Sequence, residues 1–207
     1  MPPRVRFQKE DIAKAALDIA RESGIGAVTA REVAKRLKMS VGPIFTCYDS
    51  MEQLKRDVFE AAKNIHRERL KQGLKEKIPF LGVGMQYIAF AKEEPQLYRL
   101  LFLTKPDGAV GSAAESLKMA QELVRESLMR IYNIDAFKAD CYFRDLWLVV
   151  LSFSTLIVTG DCPYTDEEIS AVLAEVSLSV CKAYKEIPGL PEGNYDKDAV
   201  FRELVKK

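Results

Sequence analysis

Few residues in this chain of 207 have the types and spacing that bond-making chemistry needs. There is one histidine, His66, and neither a Ser/His/Asp nor a Cys/His arrangement accompanies it. A glycine-rich phosphate loop is also lacking, so no residue can be given a catalytic role and the chain is not expected to be an enzyme. Cys47, Cys141, Cys162 and Cys181 are far apart, with no pair at Cys-x-x-Cys spacing. With a single imidazole beside them, neither a metal site nor a cofactor is expected. In a reducing compartment such thiols serve as small buried hydrophobes, with a redox switch as the minor alternative and Cys47 the one to watch. What remains is the chemistry of contact. The stretch Thr29 to Tyr48, TAREVAKRLKMSVGPIFTCY, offers the hydroxyls of Thr29, Ser40 and Thr46 and several cations, which can meet phosphate oxygens and base edges.

Two short helices joined by a tight polar turn would position these groups. In the first, Val33, Ala34 and Leu37 share an inward face while Arg31, Lys35 and Arg36 lie outside. Thr29 is its expected N-cap and, with Glu32, forms a Thr-x-x-Glu capping box. The second is expected to start after Ser40 as N-cap and to turn Val41, Ile44 and Tyr48 inward, leaving Gly42, Pro43 and Thr46 outward. Pro43 is tolerated because amides in a first helical turn lack internal acceptors. A helix presented this way can enter a DNA groove.

Nearly every other segment has helical period, and neither a convincing strand nor a repeat is found, so the chain reads as all-α. A first helix over 8–23 buries Ile12, Ala16, Ile19 and Ala20 and ends at Gly24 and Gly26. Asp49 or Ser50 caps a long fourth helix, about 51–71, with Leu54, Val58, Ala61, Ala62 and Ile65 inward. Further helices are expected near 80–92, 96–104, 112–132, 136–160 and 165–186, with a weakly packed last one near 196–207. The N-terminus does not look like a secretory signal. The longest apolar run, Leu146 to Val158, is shorter than the roughly 20 residues a bilayer span needs. A buried helix, no membrane partner and a cytoplasmic location are therefore expected.

Charge is uneven. Residues 1–78 hold 17 Lys and Arg against 11 Asp and Glu, a balance of +6, and the remainder hold 14 against 19, a balance of −5. A basic first third suits a polyanionic partner, although solvated helix faces would produce the same count. Late in the chain, Leu146 to Val158 is apolar all round, and Ile169, Val172, Leu173, Val176, Val180 and Tyr184 form a stripe. Both could be covered within one monomer. Pairing with a second copy would instead make a four-helix interface around a two-fold axis.

From about Phe7 to Ala61 the sequence resembles the TetR family of bacterial transcriptional regulators. The likeness is carried by Ile12 with Ala15, Ala16 and Leu17, by Gly24 to Thr29, by Val33, Ala34 and Leu37, and by Val41 to Tyr48 followed by Glu52 and Leu54. A second segment, Tyr87 to Ala91 with Glu94 to Phe102, is similar to part of the family's ligand-binding domains. The resemblance implies an N-terminal helix-turn-helix DNA-binding domain over 6–66, with its motif at 29–48, and a C-terminal ligand-binding and dimerisation domain over 67–207. It further implies a homodimer on the double-stranded DNA of a palindromic operator, with reading helices roughly 34 to 36 Å apart. Thr29, with Ala30 and Arg31 behind it, matches the position that contacts a phosphate. Ser40, Val41, Gly42, Pro43 and Thr46 match those nearest bases and backbone.

Three family preferences are missing. Phe45 stands where a tyrosine is common, Cys47 where His or an aromatic is frequent, and Met51 where a lysine commonly opens the fourth helix. Lost phosphate donors imply weaker binding, or compensation by Arg4, Arg6, Lys9, Arg31, Lys38 and Lys55. The expected function is a transcriptional regulator, a repressor released from its operator by an unidentified small-molecule effector. The alternative is a helical dimer that uses the motif for a protein partner or responds to redox state. Candidate effector contacts are Tyr87, Phe90, Tyr98, Phe102, Phe143 and Trp147, residues that would serve equally as core.

Overall fold

The computed structural model describes residues 8–105 and 110–205, and all regular elements among them are helical. Helix α1 (Lys9–Ser23) is held at its start by a reciprocal box in which the Gln8 amide donates to Asp11 Oδ2 at 3.0 Å. It stops at Gly24, whose φ of +81° carries the chain into a 3₁₀ turn, Ile25–Ala27. Helices α2 (Ala30–Arg36) and α3 (Gly42–Cys47) follow, and then α4 (Met51–Gly73), capped by the Ser50 hydroxyl, which accepts from the Gln53 amide at 3.2 Å.

Helix α4 turns back into α5 (Pro79–Glu93). The two approach so closely that a Cβ on Gly73 would lie 2.6 Å from the Gly82 backbone, so both positions need glycine. Helix α6 (Pro95–Tyr98) is one turn long and runs directly into a π-helical turn, Arg99–Leu103. The expected continuous helix over 96–104 is thus corrected: its second half has wider winding, a form that recurs at functional positions. Helices α7 (Ala113–Tyr132), α8 (Ala136–Thr159) and α9 (Asp166–Glu186) start at side-chain caps on Ser112, Asp135 and Thr165, and a short α10 (Lys197–Val205) closes the described chain.

A single apolar cluster joins the two halves. Helix α4 supplies both, with Leu54, Val58, Ala62, His66 and Leu70 buried in one i+4 row. The expected inward positions Ala61 and Ile65 are only half-buried; Phe59 and His66 take full burial instead. Helix α5 packs on α4, α8 and α9, and α8 lies between α5, α7 and α9. By length and composition α8 could cross a membrane, and its buried positions include Ala139, Tyr142, Leu146, Val150, Phe153 and Val158. On α9, Ile169 and Leu173 are buried within this one chain, whereas Leu148 of α8 and Leu178 of α9 are 51% and 71% exposed. The four cysteines are unpaired thiols, and no cluster among the described residues could hold a metal ion.

Candidate nucleic-acid interface and buried aromatic cluster

The turn between α2 and α3 is built by the backbone. Leu37 ends α2, Lys38 adopts φ +53°, and two amides bond back: Lys38 N–H to the Lys35 carbonyl at 3.1 Å and Met39 N–H to that of Ala34 at 2.9 Å. This is a Schellman closure with a lysine where glycine is the relaxed choice. At the start of α2 the Thr29 hydroxyl accepts from the Glu32 amide at 3.3 Å, but Glu32 makes no return bond and lies 3.9 Å from Lys35 Nζ. The expected capping box is therefore half-formed.

Helix α3 also starts differently from expectation. Its N-cap is Val41, in helical backbone geometry, and not Ser40. Ser40 therefore lies one residue before the cap, exposed, with its hydroxyl uncommitted among the described residues. Such a hydroxyl is more useful for an outside contact than a capping one would be.

What locks α3 is the residue that caps its C-terminal end, Tyr48. The Tyr48 ring is buried, its hydroxyl donates to Asp57 Oδ2 at 3.0 Å, and Lys9 reaches both Asp57 at 3.4 Å and the ring face at 4.7 Å. Burial and the neighbouring carboxylate push the Tyr48 phenol well above its ordinary range, so it stays a donor. Helices α1, α3 and α4 are thus clamped at one point, and Ile44 fills the space beneath.

Outward of this clamp Gly42, Phe45 and Thr46 are exposed, and Pro43 is half-exposed. Phe45 is 51% exposed beside the Thr46 hydroxyl, which donates to the Gly42 carbonyl at 3.3 Å. Ala30, Val41, Cys47 and Met51 are half-buried against the core, so they hold the frame and offer only an edge outward. Among the cations, Arg36 is spent on a two-pronged bond to Glu22 of α1, and Lys9 on Asp57. Lys55 lines a small hollow with Ile25, Gly26 and Leu100. Arg31 and Lys38 are exposed and without an ion pair among the described residues, which leaves them free for phosphate. Arg4 and Arg6 lie outside the described residues.

The second set of expected contacts converges on a residue the sequence reading did not place there. His66 is fully buried, with its ring 4.8 Å from that of Tyr87, 4.9 Å from Phe90 and 5.3 Å from Phe102. Phe102 also meets Tyr98 at 5.0 Å, and Trp147 Nε1–H donates to the Tyr87 hydroxyl at 3.2 Å. Phe143 is buried on α8 but makes no ring contact with this group, so it is separate from the cluster. Neither nitrogen of His66 has a hydrogen-bond partner, while the hydroxyls of Tyr98 and Ser154 make no bond of ordinary length, Tyr98 being only near enough to Ser154 and Thr155 to interact weakly with both. Burial, with a smaller contribution from Arg69, lowers the His66 pKa to about 3, so the imidazole is neutral. A buried polar group left unpaired costs about 1–3 kcal/mol, and four such atoms lie within one small region. His66 was legible as a core position only through its i+4 register with Leu54, Val58 and Ala62, a register that its polar type obscures.

The seam between these regions is held by polar links. Arg21 of α1 bonds Glu94 at 2.8 Å. Arg56 of α4 grips Glu115 of α7 with contacts of 2.6 and 3.1 Å and also bonds the Val110 carbonyl.

No family model matches the sequence, and no curated protein is similar to it at the level of sequence. Solved structures are similar in fold. A putative TetR-family regulator from Shewanella sp. PV-4 superimposes with a TM-score of 0.60 at 13% identity, over 84% of this chain and 97% of that one. A transcriptional regulator from Rhodococcus sp. RHA1 gives 0.59 at 17%, over 88% and 100%. A TetR variant from Acinetobacter baumannii in complex with minocycline gives 0.54 at 16%, over 86% and 97%. The fold is that of the TetR-family regulators, an N-terminal helix-turn-helix unit joined through a long helix to a helical second domain.

Proposed function

We propose that this chain is a DNA-binding transcriptional regulator that works as a homodimer and is released from a palindromic operator by a small molecule. The observation that carries the reading is the outer face of α3. It is small and open at Gly42, Pro43 and Thr46, flanked by uncommitted Arg31, Lys38 and Ser40, and fixed from behind by the Tyr48, Asp57 and Lys9 clamp. A rigid helix with an adaptable outer surface and free cations on either side suits a major groove. Phe45 adds an exposed apolar ring to that face, suited to a thymine methyl. Exposed Leu148 and Leu178 on α8 and α9 supply the surface a second copy would cover.

Release follows if an effector favours a state in which α4, shared by both regions, holds the two reading helices at another separation. The ligand must bind that state more tightly, since equal affinity moves nothing. Electrophoretic shift against the DNA upstream of the chain's own gene tests the reading. Binding at low salt is expected, with the slope of log affinity against log salt falling by about 0.9 in Arg31→Ala. Thr46→Ala should change which sequence is preferred. Failure to shift any DNA at low salt, with and without reductant, would overturn the proposal.

A further inference from the structure

The aromatic cluster has two unpaired polar ends. One is the His66 imidazole; the other is the pair of hydroxyls on Tyr98 and Ser154, which with Thr155 interact only weakly and make no bond of ordinary length. The Phe102 ring stands between them, 5.3 Å from His66 on one side and 5.0 Å from Tyr98 on the other. Of the four buried rings Phe102 is the least enclosed, at 8% exposure against 3% for Tyr87 and 0% for Phe90 and Tyr98, and only Trp147 at the edge is more open. It is also carried on the π-helical turn Arg99–Leu103, whose winding differs from the helices around it.

We infer that the seat of Phe102 is the effector site, and that the effector is an uncharged planar aromatic molecule with a hydrogen-bonding group at each end. Phe102 withdraws and the ligand ring takes its place. One end of the ligand donates to a nitrogen of the neutral His66, and the other exchanges hydrogen bonds with the Tyr98 and Ser154 hydroxyls. The polar atoms that the unliganded chain leaves unpaired are then satisfied, and this difference between the two states is what lets a ligand shift their populations. Charge is disfavoured because the one ionised group felt at His66, Arg69, is already paired with Glu93 at 2.6 Å. The imidazole is neutral, the remaining partners are hydroxyls and rings, and burying an unpaired ion among them is prohibitive. Displacing Phe102 moves the turn that joins α6 to the rest of the second domain. Since α6 packs on α1, the DNA-binding unit would feel the exchange.

This rests on the reading of the second domain as an effector-binding unit, but its test needs no DNA. Isothermal titration of the full-length protein at pH 7 would compare 2,6-dihydroxynaphthalene, naphthalene and naphthalene-2,6-dicarboxylate. The diol is expected to bind at least about tenfold more tightly than naphthalene, and the dicarboxylate to give no binding. His66→Phe and Tyr98→Phe should each weaken the diol by about tenfold and leave naphthalene unchanged, with thermal melts confirming that both variants fold. Phe102→Ala, which vacates the seat, should strengthen diol binding. The inference is overturned if the dicarboxylate binds as well as the diol, if both polar variants bind the diol like wild type, or if no probe binds even to Phe102→Ala. DNA binding measured separately keeps the two readings apart. A chain that shifts DNA but ignores the diol loses only this inference; one that binds the diol but no DNA loses only the regulator.

Discussion

The helix-turn-helix unit and the aromatic cluster treat polar atoms in opposite ways. Around α3 the polar side chains are either exposed or tied to a neighbour. Tyr48 is bonded to Asp57, Arg36 to Glu22, Thr29 to the Glu32 amide. Around His66 the polar atoms are buried and unpaired. The first region is therefore complete as folded and holds its outer surface ready, whereas the second keeps an internal debt that a partner molecule can relieve. Two such regions on one continuous helix, α4, form an arrangement in which the state of one can bias the other.

The largest effect is expected beneath α3. Ile44→Ala removes a fully buried side chain beneath α3 and should cost about 2–5 kcal/mol, read as a lowered midpoint of thermal or urea unfolding. A loss below 1 kcal/mol would mean that α3 is not locked as described. The aromatic cluster should answer to acid instead. The His66 pKa is about 3 in the folded chain against 6.5 in its ordinary state, so the unfolded chain binds the extra proton between those values. The stability from keeping the ring neutral is fully present above pH 6.5 and falls on acidification by about 1.4 kcal/mol per pH unit within that window. His66→Phe should remove that component. Parallel stability curves for variant and wild type from pH 6.5 to 4.5 would show the imidazole to be hydrated or paired.

Two substitutions around α3 should have smaller effects. Tyr48→Phe keeps the buried ring but leaves Asp57 without its donor, and should cost about 1 kcal/mol in the same unfolding assay. Lys38→Gly relieves the left-handed residue in the turn and should raise stability by about 0.5–1 kcal/mol. If Lys38 meets phosphate, the same variant lowers DNA affinity, so stability and affinity would move in opposite directions.

Much of this was legible in the sequence, and the exceptions share a cause. Helix starts at Ser50, Ser112 and Thr165 follow from local side-chain-to-amide geometry, which the sequence specifies within four residues. Ser40 as a cap did not hold, because the Schellman closure at Lys38 shifts the path of the turn and lets Val41 begin α3. The wide turn at 99–103 was not legible either, since helical period cannot distinguish π from α winding over five residues.

By itself the sequence determined the all-α class, nearly every helix boundary, and the inward and outward faces of α2 and α3, since these depend on periodicity and on contacts between near neighbours. Only the tertiary structure decided which charges are free, because Arg36 and Lys9 are consumed by Glu22 and Asp57 from other helices while Arg31 and Lys38 are not. It alone placed His66 among Tyr87, Phe90 and Phe102 with no hydrogen-bond partner. Whether a polar side chain is satisfied depends on groups that other helices bring to it, and no spacing along the chain encodes that.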